Sequence, residues 1–233
     1  NGLSNYGELY ADSRKWIKEG WVDYINPQIY FTFKRAAAPF GTLLDWWGNN
    51  TFGRHLYIGQ AAYLVKVPSK VDAAWMNLTE IPTQIRAIRA NNRAQGSVFF
   101  SSKSLTTNAK SLTDSLRNDL YKYPALPPQM PWLDDIVPNS PQHLTAEVMN
   151  DGVHIKWDKP LKAEDDETAS GYVIYRFEEG EKTNILNAKN ILKINEYAFQ
   201  KNIFSISNHH FRLFINRNSS NQSNRRANVF SAQ

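Results

Sequence analysis

Two segments of the chain place a glutamine amide and a tyrosine at the end of a run of strand-forming residues. Gln28 and Tyr30 end the sequence DYINPQIY, and Gln60 and Tyr63 end the sequence HLYIGQAAY. Amides and tyrosine hydroxyls offer paired hydrogen-bond donors and acceptors, which suit sugar hydroxyls, and tyrosine rings suit the apolar side of a pyranose. One alternative stays open, in which Gln28 and Gln60 only satisfy buried backbone groups.

These residues must be positioned by the first 123 residues, where predicted strands alternate with predicted helices. Such alternation is the signature of βα units and a parallel sheet. Pro27 marks the point where regular pairing of the first strand can stop, because proline has no N–H to donate. The predicted strands are Tyr24–Tyr30, His55–Gln60 and Ser97–Ser101.

The predicted helices follow from apolar spacing and from start and stop signals. The first runs over 8–19, with Leu9, Trp16 and Ile17 buried and Gly20 in the C′ position. A short helix covers Thr42–Gly48 and carries Trp46. A third begins after Thr79, buries Ile81, Ile85 and Ile88 on one face and is closed by Gly96, and a last helix is marked by Leu112, Leu116 and Leu120.

Six prolines between Tyr123 and Pro141 exclude a helix or a central strand there and predict a connector. Beyond it the apolar period changes to two, in LTAEV, VHIKW and YVIYRF, with a turn signal at Asn150-Asp151-Gly152. We therefore predict one domain over 1–138 and a β-sandwich of the immunoglobulin-like kind over 139–233. The acidic loop Glu164–Glu167 is predicted to be a solvated surface loop.

Composition excludes several classes of function. The net charge of +5 comes from scattered basic residues, so we expect no nucleic-acid ligand. No cysteine is present, and the adjacent histidines His209 and His210 would point to opposite faces of a strand, so we expect neither a metal site nor a cofactor. No run of about 18 apolar residues is present, so we expect no membrane span. The opening NGLSNYGELY does not look like a natural start, and we expect a cut in a longer chain.

Several ordered blocks resemble the carboxyl-terminal half of the glycoside hydrolase-like family 10 proteins, which are common in Bacteroidetes and Firmicutes. The blocks are ADSRKWIKEGWVDYINPQIY, LLDWW, LYIGQAAY, EIPTQIRAIR, GSVFFSSKSL and PALPPQMPWLD, between about Asn5 and Pro138. The segments HLTAEV, GVHIKW and GYVIYRF resemble a fibronectin type III domain.

The resemblance implies a TIM barrel of which this chain holds the sixth, seventh and eighth strands. In such barrels the site lies at the carboxyl ends of the strands and in the loops that follow them. The substrate-binding residues are then Gln28, Tyr30, Trp46, Gln60, Tyr63 and Ser101.

Glycoside hydrolysis ordinarily uses two carboxylates that flank the scissile bond. No predicted strand end carries one: Asp45 lies in a helix pattern, whereas Asp72 and Glu80 lie in or after a long loop. Glu80 has the ordinary alternative of a first-turn helix residue, since acids favour helix N-termini. We therefore expect the catalytic residues upstream of this chain.

Two functions remain open. The chain is either a catalytically incompetent part of a secreted, periplasmic or cell-surface glycosidase, or a non-catalytic carbohydrate-binding or adhesion module. Both predict a carbohydrate ligand. A partial barrel would also expose sheet edges, so we expect self-association or pairing with an N-terminal remainder of the barrel.

Overall fold

A computed structural model describes residues 5–70, 72–107, 111–169, 171–178, 181–195, 211–216 and 228–232. His209 and His210 lie outside the described residues. The chain divides into two units, Asn1–Lys122 and Tyr123–Gln233. The proline-rich segment therefore groups with the second unit, and the domain boundary between residues 138 and 139 stays a prediction.

The first unit holds the parallel sheet that the alternating pattern predicts. Its strand order is β1, β2, β3. The strands are β1 (Tyr24–Ile25), β2 (His55–Gln60) and β3 (Gly96–Phe99). The helices are α1 (Asn5–Leu9), α2 (Ser13–Lys18), α3 (Phe40–Gly48), α4 (Glu80–Ala90), α5 (Ser102–Thr106) and α6 (Leu112–Ser115), with a π-helical turn at Leu116–Leu120 and 3-10 turns at Ala62–Leu64 and Ala73–Met76.

The core of this unit lies between one face of the sheet and the helices. Leu56 and Ile58 of β2 are fully buried and pack with Phe40 of α3 and Ile88 of α4. Ile81 and Ile85 of α4 lie in a second cluster, so the predicted buried face of α4 is confirmed; that cluster also holds Leu112, Leu116 and Leu120, as predicted. Full burial of such a side chain is worth about 1.5–3 kcal/mol, which fixes α4 against the sheet.

The other face of the sheet carries aromatic residues. Tyr24 of β1 and Tyr57 of β2 meet edge to face, with ring centroids 5.5 Å apart. Tyr24 and Val98 of β3 are each more than 40% exposed in this chain. The two faces therefore differ, since one is covered by helices and the other shows apolar groups to solvent.

Strand β1 is shorter than predicted. Regular pairing covers Tyr24–Ile25, and an isolated parallel bridge joins Gln28 to Gly59. The Pro27 carbonyl still accepts the Gly59 N–H at 2.9 Å, but the proline nitrogen has no N–H to donate, so the ladder is interrupted there. The prediction of one strand to Tyr30 was therefore wrong in extent, whereas the stop at Pro27 is confirmed.

The predicted helix over 8–19 is two helices. Tyr10 has a left-handed backbone, with φ of +53°, and Asp12 begins α2 by accepting the Lys15 N–H at 2.9 Å. This N-cap stabilises a new helix start. As a result Ile17 is buried as predicted, but Leu9 and Trp16 are exposed. Gly20, with φ of +71°, ends α2 as predicted.

The sequence predicted that Gly96 ends α4, and this was wrong. The helix ends at Ala90, where the Asn91 N–H bonds the Ala87 and Ile88 carbonyls at 3.1 Å, and Gly96 begins β3. The helix stops here because the backbone of Asn91 is extended, with φ of −81° and ψ of +111°.

The second unit contains separate antiparallel sheets. Strands β4 (Gln142–Met149) and β5 (Gly152–Asp158) form a hairpin, with Gly152 at φ of +140° in the predicted turn. The other sheet has the order β7, β6, β8, β9 and comprises β6 (Tyr172–Tyr175), β7 (Ile191–Asn195), β8 (Phe211–Asn216) and β9 (Asn228–Ala232), with a 3-10 turn at Ala188–Asn190.

The hairpin packs on strand β6. Trp157 of β5 lies 5.2 Å from Tyr172 of β6, between ring centroids, and Val153, Ile155 and Ile174 share the same buried cluster. The change of period to two therefore correctly predicts antiparallel strands; β5 buries one face, whereas β6 is buried on both. No helix in the described part of the chain is long and apolar enough to cross a membrane.

Candidate functional site

Three aromatic side chains meet beyond the carboxyl ends of the parallel strands. Tyr30 and Tyr63 lie 6.1 Å apart, Tyr63 and Phe100 5.7 Å, and Tyr30 and Phe100 6.2 Å, all between ring centroids. Each ring comes from the segment that follows a different strand. We call Tyr30, Tyr63 and Phe100 the aromatic cluster.

Backbone hydrogen bonds hold two members of the cluster in register. The Phe100 N–H donates to the Gln60 carbonyl at 2.9 Å, and the Tyr63 N–H donates to the Phe100 carbonyl at 3.2 Å. Pairing between the β2 and β3 segments therefore continues past both strands. Tyr63 is 45% exposed and Phe100 56% exposed, so their rings remain available to a ligand.

Tyr30 is the most enclosed ring of the three. It packs partly buried against the core cluster that includes Ala61 and Val65. Burial raises the pKa of the Tyr30 hydroxyl, and the neighbouring Tyr63 raises it further. The hydroxyl is therefore neutral at physiological pH and can both donate and accept a hydrogen bond.

Gln60 is a buried residue and does not present its amide at the surface. Its side chain is fully buried and donates from Nε2 to Gln84 Oε1 at 3.1 Å. It shares a strand face with Leu56 and Ile58, because side chains two residues apart point the same way. The Gln60 amide thus donates to a buried side chain, whereas the open alternative was that it satisfies buried backbone groups.

Gln84 links Gln60 to a buried carboxylate. Gln84 Nε2 donates to Glu80 Oε1 at 3.0 Å and to the Phe31 carbonyl at 3.1 Å, and Glu80 Oε1 also accepts the Phe33 N–H at 3.1 Å. We call Gln60, Glu80 and Gln84 the buried polar layer. This layer contacts the segment after β1 at two backbone groups, the Phe31 carbonyl and the Phe33 N–H.

Asp72 contacts the same segment at Thr32, which lies between Phe31 and Phe33. Its Oδ1 accepts the Thr32 hydroxyl at 2.7 Å, and its Oδ2 accepts the Thr32 N–H at 3.2 Å. Both carboxylates that the sequence identified in this region, Asp72 and Glu80, therefore contact loop backbone. Glu80 is also the first-turn acid of α4 that the ordinary reading expected.

Gln28 and Trp46 lie in a different place. Both line an open cavity of about 980 Å³, together with Trp47 and residues of α1 and α2, and no member of the aromatic cluster lines it. Trp46 is 48% exposed and meets Trp47 edge to face at 4.9 Å between ring centroids. The six predicted site residues thus fall into separate groups.

Ser101 lies directly after the cluster residue Phe100. It has an extended backbone at the N-cap of α5, and its side chain makes no capping hydrogen bond. The residue as a whole is half-buried. Tyr30, Tyr63 and Ser101 therefore lie in or next to the cluster, whereas Gln60 is buried and contacts the cluster residue Phe100 through its backbone carbonyl.

Sequence reasoning missed Phe100 and the long-range contacts of Asp72 and Glu80. Phe100 was detectable, because alternation in SVFFS places it opposite the core residue Phe99. The i, i+4 spacing of Glu80 and Gln84 also predicts a side-chain contact on one helix face. The pairing of Asp72 with Thr32 spans 40 residues and leaves no local signal.

An acidic group in the second unit could hold a cation by geometry alone. Ligand oxygens of Asp134, Asp165 and Glu167 all lie within 4.8 Å of one another, and all three residues are exposed. The loop Glu164–Glu167 is solvated, as the sequence predicts. Exposed acidic groups of this kind are ordinary surface features.

The chain is similar to curated glycosyl hydrolases. It is 44% identical over 191 residues to the glycosyl hydrolase YngK of Bacillus subtilis (strain 168), covering 80% of this chain and 36% of that protein. It is 38% identical over 104 residues to the glycosyl hydrolase DigH of Escherichia coli (strain K12), covering 42% of this chain and 24% of that protein. The chain thus spans about a third or less of these relatives.

A family profile matches the beginning of the chain. Residues 1–77 match the family described as Glycosyl hydrolase-like 10, a range that contains β1, β2 and two members of the aromatic cluster. The chain is therefore similar to glycosyl hydrolase-like proteins, by this match over 1–77 and by its 44% identity to YngK over 191 residues.

Proposed function

We propose that this chain provides part of the sugar-binding cleft of a glycoside hydrolase-like protein that acts on a polysaccharide or a cell-wall glycan. The aromatic cluster is the observation that carries the proposal. Partly exposed rings from three successive segments offer apolar faces to a pyranose, and the Tyr30 and Tyr63 hydroxyls offer hydrogen bonds to its rim.

The proposal places the catalytic carboxylates outside this chain. Among the described residues near the cluster, Asp72 and Glu80 are held by loop N–H groups, which is a structural arrangement. A pair of free carboxylates flanking a sugar would be needed for glycoside hydrolysis. In the fold we propose, β1, β2 and β3 are the last three strands of a TIM barrel, and the second unit is a fibronectin type III-like sandwich.

Binding to a glycan array and to purified peptidoglycan tests the proposal. Tyr63→Ala and Phe100→Ala should each weaken binding by roughly tenfold, since each removes an aromatic contact face. The matched control is Trp21→Ala, which removes an exposed ring that lies over Lys15 instead. Equal binding by all four proteins would contradict the proposal.

A non-catalytic carbohydrate-binding or adhesion module is the second candidate. The engagement of Asp72 and Glu80 by backbone N–H groups favours it, because the described residues then offer no free pair of acid and base at the cluster. A glycosidase assay separates the two. Turnover by a longer protein, lost on mutation of carboxylates outside this chain, supports the enzyme; turnover by this chain alone contradicts the proposed incompetence.

The exposed sheet face supports one further part of the proposal. Tyr24 and Val98 present apolar surface that a complete barrel would cover, so we propose self-association or pairing with an N-terminal remainder of the barrel. Light scattering that reports a monomer at all concentrations tested would count against self-association. We propose an extracellular, periplasmic or cell-surface location, in keeping with a glycan substrate.

A further inference from the structure

We propose that Asp72 and Glu80 are positioning residues that hold the segment Phe31–Phe33 and thereby fix Tyr30 in the aromatic cluster. The inference rests on the proposed function for its consequence, which is tighter glycan binding. It assigns both carboxylates to binding geometry and not to proton transfer.

Asp72 makes a two-pronged contact with one residue. Its two oxygens accept the hydroxyl and the N–H of Thr32, which is fully buried, at 2.7 and 3.2 Å. Asp72 is itself fixed, because its own N–H donates to Ser69 Oγ at 3.0 Å. Hydrogen bonds to a carboxylate are stronger than neutral ones, so this contact strongly favours one position of Thr32.

Glu80 secures the next residue from a rigid element. It lies in the first turn of α4, where the helix N-terminus favours a negative charge, and it is 7% exposed. It accepts the Phe33 N–H, while its neighbour Gln84 donates to the Phe31 carbonyl. Three consecutive residues of the segment are therefore held by side chains from beyond β2.

Tyr30 immediately precedes this held segment. Its ring has to meet Tyr63, which follows β2, and Phe100, which follows β3, so its position depends on how the segment after β1 is seated. A ligand that binds a preformed set of rings avoids the entropy cost of ordering them. Release of Thr32 should therefore weaken glycan binding without removing any ring.

The experiment compares Asp72→Ala, Asp72→Asn and Thr32→Val in the full 233-residue chain. Two readouts need no ligand: amide hydrogen exchange at Thr32 and Phe33, and the ring proton shifts of Tyr30 measured by NMR. The third readout is affinity for soluble glycan strands prepared from peptidoglycan.

Two control variants remove similar groups elsewhere. Asp119→Ala removes an acidic group that pairs with Arg86. Thr113→Val removes a hydroxyl that donates to the Leu105 carbonyl at 2.6 Å.

We expect Asp72→Ala to free the Thr32 amide, shift the Tyr30 ring signals and weaken binding about tenfold. Asp72→Asn keeps one acceptor oxygen and should give a smaller loss, and Thr32→Val combined with Asp72→Ala should bind no more weakly than Asp72→Ala alone, since both changes break the same contact. Neither control should change the Tyr30 signals.

Two results would overturn the inference. One is unchanged exchange and unchanged Tyr30 signals in folded Asp72→Ala. The other is a loss in Asp72→Asn as large as in Asp72→Ala while the Tyr30 signals stay in place, which would indicate a direct role of the carboxylate charge. Freed amides and shifted rings in a chain whose wild type binds no glycan strands would support the positioning and reject the proposed ligand.

Discussion

The aromatic cluster and the buried polar layer lie in the same part of the first unit but have opposite properties. The cluster consists of rings that are partly open to solvent, with Phe100 56% exposed. The layer consists of Gln60, Glu80 and Gln84, which are buried and joined to one another or to loop backbone. Apolar groups thus face outward here, while amides and a carboxylate are turned inward.

This inversion supports the binding surface that we propose. A general acid or base must reach a substrate proton, whereas the carboxylate of the buried layer reaches the Phe33 N–H. Hydrogen bonds among these buried groups rigidify their surroundings, although Gln60 Oε1 has no hydrogen-bond partner among the described residues. Under the proposal, Gln60 and Glu80 therefore act as support for the segments that carry the rings, and not as groups that contact the ligand.

The largest expected effect comes from removing the centre of the buried polar layer. Gln84→Ala leaves Gln60, Glu80 and the Phe31 carbonyl each without one hydrogen bond in a buried site. An unsatisfied buried polar group costs about 1–3 kcal/mol, so we expect the free energy of unfolding to fall by about 3 kcal/mol. Chemical denaturation of the first unit, followed by tryptophan fluorescence, measures it.

Gln28→Ala is the matched control for this change. It removes the same amide from an exposed position, where substitutions usually change stability by less than about 0.5 kcal/mol. An equal fall in the free energy of unfolding for Gln28→Ala and Gln84→Ala would contradict a special role of the buried polar layer in stability.

A smaller effect is expected where β1 and β2 approach each other below the cluster. A Cβ added to Gly59 would lie 3.0 Å from the Pro27 carbonyl oxygen and 3.2 Å from the Gln28 Cα. Gly59→Ala should therefore push β1 away from β2 and lower stability by about 1–3 kcal/mol, as overpacking does. It should also move Tyr30 relative to Tyr63, which the ring proton shifts of the two tyrosines would report.

Gly41→Ala in α3 provides the contrast. Its added Cβ would meet only Phe33 ring atoms at 3.6 Å or beyond, which is an ordinary contact. Gly41 lies in the first turn of α3, so alanine gains only part of the roughly 1 kcal/mol by which it exceeds glycine in a helix interior. We expect unchanged or slightly higher stability. A loss as large as that of Gly59→Ala would show that the close approach of the two strands is not the cause.

Apolar spacing and turn signals in the sequence correctly predicted elements that depend on neighbouring residues alone. Strand β2 has the predicted bounds because HLYIGQ is a short apolar run between turn signals, and α4 has its predicted buried face because Ile81, Ile85 and Ile88 recur at helical spacing. Strand β1 was predicted too long, since the apolar run gave more weight to Ile29 and Tyr30 than to the missing N–H of Pro27.

For the candidate site, the sequence predicted several of the residues but not how their side chains are arranged in the fold. Tyr30 and Tyr63 do meet, but Gln60 shares a strand face with Leu56 and Ile58, and that parity could have placed it in the core. The contact of Asp72 with Thr32 joins residues 40 positions apart and depends on how two loops pack. Only the folded chain specifies it.

The smallest expected effect concerns the protonation of Tyr30 within the cluster. Burial raises its pKa above the ordinary tyrosine value of 10.0, and Tyr63 adds to the shift. Because the folded pKa is the higher one, the folded state holds the neutral hydroxyl more tightly than the unfolded chain does. The stabilisation is present below the unfolded pKa and is lost as the pH rises through the folded pKa.

The difference in tyrosinate absorbance between wild type and Tyr30→Phe should therefore place the pKa of Tyr30 above 10.0. Tyr63→Phe keeps the neighbouring ring but removes its ionisable hydroxyl, so it should lower the Tyr30 pKa only in part; a Tyr30 that titrates at or below the ordinary value would mean that the ring is as solvated as Tyr63 and Phe100.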